Sequence, residues 1–380
     1  MRASARLRSV AIAAIGACLA LAGLLAPGIA TAGPPPPPFA EYYGISPAMK
    51  LTTSEIAIVG RSKAGTLRYP FYWPSIEPDP PVEPDPGPLP LPTPPPSESK
   101  QWEATDNLVG DAARRGLRVM PFVYGAPDWV AADPMRPPID DAAARAAWQD
   151  LLTDLVNRYG PRGRFWAEND EIPKQPITDW QIANEPNSQM FWSPAPSPPE
   201  YADLLQLSSA AIRSADPGAA VVLAGMFGTP ATGISAWDFL EALYQVPGSA
   251  DSFDAYALHP YSPHLKGTKA QIELARDVLR RNGDRKLPLL ISEIGWPTDG
   301  PAGYNFVKTP DEQKQLLAKA FRLFLKERRR WNIERVIWYT WRDNEVQPNC
   351  SVCSYSGLFT RQLEPKPAWR KFVQFAGGQP

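Results

Sequence analysis

Two glutamates carry the chemistry open to this chain. Glu185 lies in Asp179-Trp180-Gln181-Ile182-Ala183-Asn184-Glu185-Pro186-Asn187, and Glu293 in Leu287-Pro288-Leu289-Leu290-Ile291-Ser292-Glu293-Ile294-Gly295-Trp296-Pro297. Each stretch is an apolar run of strand character broken just after a carboxylate by proline, so each delivers an acid to a strand's C-terminal end. Alone, Asn-Glu-Pro-Asn reads equally well as a turn that caps the next helix. The second stretch changes that balance. Two strand-end carboxyls roughly a hundred residues apart can converge over one mouth. There one would protonate a leaving oxygen while the other attacks or stabilises an electron-poor acetal carbon.

Positioning such a pair requires strands that all point the same way. Segments of strand character fall at Tyr42 to Ile45, Leu67 to Trp73, Leu117 to Val123, Trp180 to Ala183, Ala220 to Ala224, Ala255 to Leu258, Leu287 to Glu293 and Glu334 to Tyr339. Helical patterns separate them at Thr52 to Lys63, Gln101 to Arg115, Asp140 to Tyr159, Pro199 to Ala215, Ala236 to Val246, Thr268 to Asn282 and Pro310 to Arg330, with a last helix at Ala368 to Phe375. Alternation of this kind implies parallel crossovers, and about eight units imply closure into an α/β (β/α)8 TIM barrel with one catalytic domain.

Asn184-Glu185-Pro186 and Ser292-Glu293-Ile294-Gly295-Trp296 resemble the acid/base and nucleophile strands of clan A glycoside hydrolases, the retaining barrel enzymes, with families 39 and 5 nearest. The resemblance spans roughly residues 40 to 376. It implies a secreted retaining β-glycosidase in which Glu293 is the nucleophile and Glu185 the acid/base. It also implies that Arg68, near the end of the second strand, supports the nucleophile, and that Asn184 binds the sugar 2-hydroxyl. His259 and Tyr261 are expected to line the site, with Tyr261 on the nucleophile. Of Trp338 and Tyr339 one must point inward, and Trp338 matches the aromatic floor of the subsite before the scissile bond; Trp296 is expected in a neighbouring subsite. Pro70 inside the second strand departs from the family's pattern. A catalytically inactive carbohydrate-binding barrel and a transglycosylase on the same residues are the alternative readings.

The 380 residues hold one barrel of about 250 residues with leader, tail and long loops, and no second large domain. A net charge of −1 gives no polyanion-binding signal, so nucleic acid is not an expected partner. Residues 1–32 join a basic start to the apolar run Val10 to Leu25 and the small residues Ala30-Thr31-Ala32, the order of a secretory signal. Export follows, as a carbohydrate-acting monomer with no membrane attachment once the leader is removed. Removing 1–32 takes away Arg2, Arg6 and Arg8 and no acid, so 39 Lys+Arg become 36 against 40 Asp+Glu, a net charge of −4. A polyproline spacer occupies 33–39, and the folded domain spans 40–376 with a proline-rich insertion at 78–99 that has eleven prolines.

Cys18 falls inside the leader, which leaves Cys350 and Cys353 as a Cys-x-x-Cys pair. With two histidines in the chain and no second cysteine pair, a four-ligand zinc site of soft ligands cannot be assembled. In an exported chain a local disulfide is the favoured reading and a redox centre the lesser one. The proposed chemistry needs no metal or other cofactor.

Overall fold

The computed structural model describes residues 37–81, 100–347 and 350–380. The expected leader, the spacer up to residue 36 and residues 82–99 of the insertion lie outside them. Eight strands form a closed parallel barrel in sequence order. They are β1 (Tyr43–Ser46), β2 (Thr66–Tyr72), β3 (Arg118–Tyr124), β4 (Asp179–Ile182), β5 (Ala220–Phe227), β6 (Ala255–His259), β7 (Leu289–Ile294) and β8 (Ile333–Tyr339). The barrel closes where Tyr43 to Ser46 pair with Val336 to Tyr339.

Eleven α-helices are described: α1 (Thr53–Arg61), α2 (Trp73–Ile76), α3 (Glu103–Ala113), α4 (Ala142–Tyr159), α5 (Arg164–Glu168), α6 (Pro198–Ala215), α7 (Ala236–Tyr244), α8 (Leu265–Arg281), α9 (Pro310–Trp331), α10 (Ser351–Tyr355) and α11 (Pro367–Ala376). The short α2, α5 and α10 were not among the elements expected from the sequence, because one helical turn is too brief to show a period. No helix among the described residues is long and apolar enough to cross a membrane.

Local signals explain the main helices. In α9 the Thr309 hydroxyl accepts from the Glu312 N–H while the Glu312 carboxylate accepts from the Thr309 N–H, Pro310 opens the helix, and Asn332 ends it in the left-handed region. Helix α1 repeats the box with Thr52 and Glu55. Glu55 is almost wholly buried, and it also accepts from Trp341 Nε1 at 3.0 Å and pairs with Arg342 at 2.8 Å. One carboxylate thus caps a helix and ties it to the loop after β8.

The core has two parts. The larger lies between strands and helices, whereas Met120, Val222, Ala255, Ala257, Leu290 and Ile337 form a small cluster drawn from strands alone, the inside of the barrel. Below it, Arg335 pairs with Asp179 at 2.9 Å. The small Ala255 and Ala257 share the inward face of β6 with His259, as the strand's period of two requires. The layer above the apolar cluster is polar, and it is the site.

Candidate active site

Arg68 is the centre of that layer. Its side chain is fully buried, and every one of its nitrogens is engaged: Nε donates to Gln181 Oε1 at 2.7 Å, Nη2 to Asn184 Oδ1 at 2.7 Å, and Nη1 to Glu293 Oε1 at 2.5 Å and Ser46 Oγ at 3.3 Å. Phe122 lies under the guanidinium with its ring centre 4.0 Å away. A buried cation is tolerated only when paired and fully hydrogen-bonded, and Arg68 meets both conditions. It therefore positions Glu293 and Asn184 without itself reaching solvent.

The chain turns sharply to bring Asn184 and Glu185 to the same mouth. Ala183 and Glu185 both adopt left-handed backbone, with φ of 65° and 43°, a conformation that costs about 1–3 kcal/mol per non-glycine residue and collects at functional sites. The Glu185 N–H donates to Gly225 O at 3.0 Å. Gly225 serves a second purpose, because a Cβ there would lie 2.0 Å from Nε2 of His259. Glycine is required for the imidazole to stand beside Glu185.

His259 Nδ1 lies 2.6 Å from Glu185 Oε1 and 3.6 Å from Glu293 Oε2. The Tyr261 hydroxyl donates to Glu293 Oε2 at 2.9 Å. One oxygen from each glutamate and one nitrogen of His259 all fall within 4.8 Å of one another. These are also metal-ligand types, but Arg68 already balances Glu293 and His259 Nδ1 is bonded to Glu185, so a cation would have to displace both partners.

Electrostatics separates the two carboxyls. Burial raises the Glu185 pKa well above the ordinary carboxyl range, and the charge of Glu293 adds to the rise, with Arg68 opposing it. Burial raises Glu293 as well, but Arg68 and the Tyr261 hydroxyl pull it back. His259 is held neutral, since burial and the Arg68 charge both push its pKa well down. One hydrogen is then shared between His259 Nδ1 and Glu185, which keeps that carboxyl aimed. The side chains of Glu185 and Glu293 retain 11% and 10% exposure, so the pair is reachable from solvent.

The expected Arg68, Asn184, His259 and Tyr261 thus gather on the two glutamates. Trp338 and Trp296 do not. Both are fully buried, and each gives its indole N–H to a backbone oxygen, Trp338 to Ser356 at 3.1 Å and Trp296 to Ser262 at 2.9 Å. Alternation along β8 explains the correction: Ile337 points into the barrel, so Trp338 points out and Tyr339 in. Burial together with the charges of Glu293 and Glu185 raises the pKa of the inward Tyr339 phenol. Three further contributors were missed. Gln181 and Ser46 are polar residues at inward strand positions, and Gly225 is an isolated glycine inside an apolar strand, a recognised sign of close approach.

No family profile matches the chain, and no curated protein matches it in sequence. Solved structures do match in three dimensions. A family 39 glycoside hydrolase from Bacteroides cellulosilyticus WH2 has a TM-score of 0.58 at 17% identity, over 88% of this chain and 63% of that one. A glucosidase from Croceicoccus marinus has a TM-score of 0.61 at 14% identity, over 88% and 66%. A family 5 glycoside hydrolase from Bifidobacterium longum subsp. longum, solved with Manβ1-4GlcNAc, has a TM-score of 0.60 at 16% identity, over 89% and 80%. The closed eight-stranded barrel is the fold these glycoside hydrolases share with this chain. The chain spans a little under two thirds of the first two of these proteins. At such identities the shared feature is the fold.

Proposed function

We propose that this protein is a retaining β-glycosidase that cleaves O-glycosidic bonds by double displacement. The observation that carries the proposal is that an oxygen of Glu185 and an oxygen of Glu293 lie within 4.8 Å of each other. A nucleophile and an acid/base acting on one sugar carbon stand about 5–5.5 Å apart, whereas an inverting pair must leave about 6.5–9.5 Å for water.

In the first step a Glu293 oxygen bonds to the anomeric carbon as the glycosidic C–O bond breaks, and the Glu185 proton passes to the departing oxygen. In the second, Glu185 takes a proton from water, the water oxygen bonds to the same carbon, and the Glu293 carboxylate leaves with net retention. The environments suit these roles. Glu185 is the carboxyl that burial and its neighbour keep protonated, while Glu293 is the one held towards its charged form by Arg68 and Tyr261. Asn184, oriented by Arg68, presents its amide beside Glu185, and the inward-turned Tyr339 offers an aromatic face at the same mouth. The basic start and apolar run of residues 1–32 support export of the enzyme.

Azide tests the assignment of roles. Glu185→Ala should retain cleavage of activated aryl β-glycosides in the first step and yield a β-glycosyl azide, while Glu293→Ala should yield the α-azide. The opposite pattern of products would exchange the two roles, and no cleavage of any aryl glycoside by the native protein would remove the glycosidase reading.

A further inference from the structure

A cavity on the catalytic face lies apart from the two glutamates. It measures about 440 Å³ and is walled by Thr298 and Asp299 from the loop after β7, Asp343 from the loop after β8, Tyr355 of α10, and the segment from Thr360 to Pro367 that leads into α11. Neither Glu185 nor Glu293 lines it. Each of these loops leaves the C-terminal end of a barrel strand, so the cavity opens on the same side as the carboxyl pair. Thr298 is five residues past Glu293, at most about 18 Å along the chain, within the span of a short oligosaccharide.

The walls are fixed. Lys366 is 7% exposed, and its ammonium donates to Asp343 Oδ1 at 2.6 Å, Thr298 Oγ1 at 2.7 Å and Tyr355 O at 3.2 Å. Tyr355 O also accepts from the Thr298 N–H at 3.0 Å, so three separate segments meet at one carbonyl. Helix α10 is pinned by the Cys350–Cys353 disulfide and by the Ser354 hydroxyl, which accepts from the Gln347 N–H. A cavity built this way exists before any ligand arrives, which lowers the ordering cost of binding.

Its chemistry identifies the ligand class. Arg361 lines it together with Asp299 and Glu364, and Lys366 and Asp343 are paired with each other at 2.6 Å, mixed charges that suit neither a phosphate nor a metal ion. Donors and acceptors of both kinds suit a neutral ligand rich in hydroxyls. We infer that this cavity is a distal sugar subsite, which makes the natural substrate an oligosaccharide or polysaccharide; the inference rests on the glycosidase reading. Arg361 and Gln362 are exposed polar side chains of its rim, beside the exposed acids Asp299 and Glu364.

The test uses the full chain with Glu293→Gln, which blocks turnover, and titrates xylo-, cello- and manno-oligosaccharides of two and four units by calorimetry. In the series that binds, the tetrasaccharide should bind more tightly than the disaccharide. Adding Arg361→Ala and Gln362→Ala should weaken the tetrasaccharide by about tenfold, the worth of about one hydrogen bond at an exposed rim, and leave the disaccharide within about twofold. Both residues are at the surface, and an unchanged melting temperature confirms the fold. A tetrasaccharide preferred in no series, or equal losses for both lengths, overturns the subsite. If aryl glycosides are not cleaved by the native protein but the length-dependent loss is found, the glycosidase reading fails and the subsite stands.

Discussion

Gly225→Ala adds one methyl group at the point where β5 passes His259. The new carbon would lie 2.0 Å from Nε2 and 2.7 Å from Cδ2 and Cε1. Ordinary contact is about 3.5 Å, so ring and strand must separate by about 1.5 Å. The ring has no free space to enter, because His259 is completely buried, and its far side is hydrogen-bonded to Glu185 at 2.6 Å. The Glu185 backbone is held by the same glycine. Overpacking of this kind typically costs about 1–3 kcal/mol of stability. A displacement of about 1 Å at a catalytic group costs on the order of 100-fold in rate. Thermal melting and kcat/KM on an aryl β-glycoside measure the two effects. Gly225→Ala combined with His259→Ala removes the ring that collides, so melting should recover relative to Gly225→Ala alone, while activity stays low because Glu185 has lost its partner. A Gly225→Ala protein with native melting and kcat/KM within about threefold of native would refute the reasoning, as would stability losses that simply add in the double variant.

Glu185 titrates above its ordinary value in the fold, so the folded state holds its proton more tightly than the unfolded chain; the stability it contributes is complete below the ordinary carboxyl range and is lost as pH rises through the folded pKa. Glu185→Gln should therefore melt higher than native at about pH 7, with an advantage that fades towards about pH 4, and an advantage that grows towards acid would contradict the shift. Arg68→Met removes the cation that pairs with Glu293 and orients Asn184. A loss of about 3–5 kcal/mol in denaturant unfolding is expected from the unpaired buried acid, together with an upward move of the acidic limb of kcat/KM; an unmoved limb would show that Arg68 does not set the Glu293 charge. Trp338→Ala should lose about 3–5 kcal/mol of stability as a core truncation, while Tyr339→Ala should chiefly lower kcat/KM, and the reverse ordering would restore Trp338 to the site.

The sequence by itself determined the barrel and its two acids. Eight apolar segments alternating with capped helices leave few other ways to bury both faces of a parallel sheet, and carboxylates at the ends of two such strands must meet on one rim. Proline and glycine punctuation made those ends legible, whereas Arg68, Asn184, His259 and Tyr261 were expected from the resemblance of their stretches to clan A glycoside hydrolases. The orientation of side chains inside the barrel was settled by tertiary structure. Glu293 faces Arg68 although Leu290, three residues earlier, already points inward; strict alternation would turn Glu293 outward, and the shift in β7–β8 register between Ile291 and Ile294 lies at that point. The left-handed turns at Ala183 and Glu185, the glycine that admits His259, and the exchange of Trp338 for Tyr339 have the same origin. They depend on which neighbouring strand lies beside each residue and at what height, and a linear pattern does not carry that information.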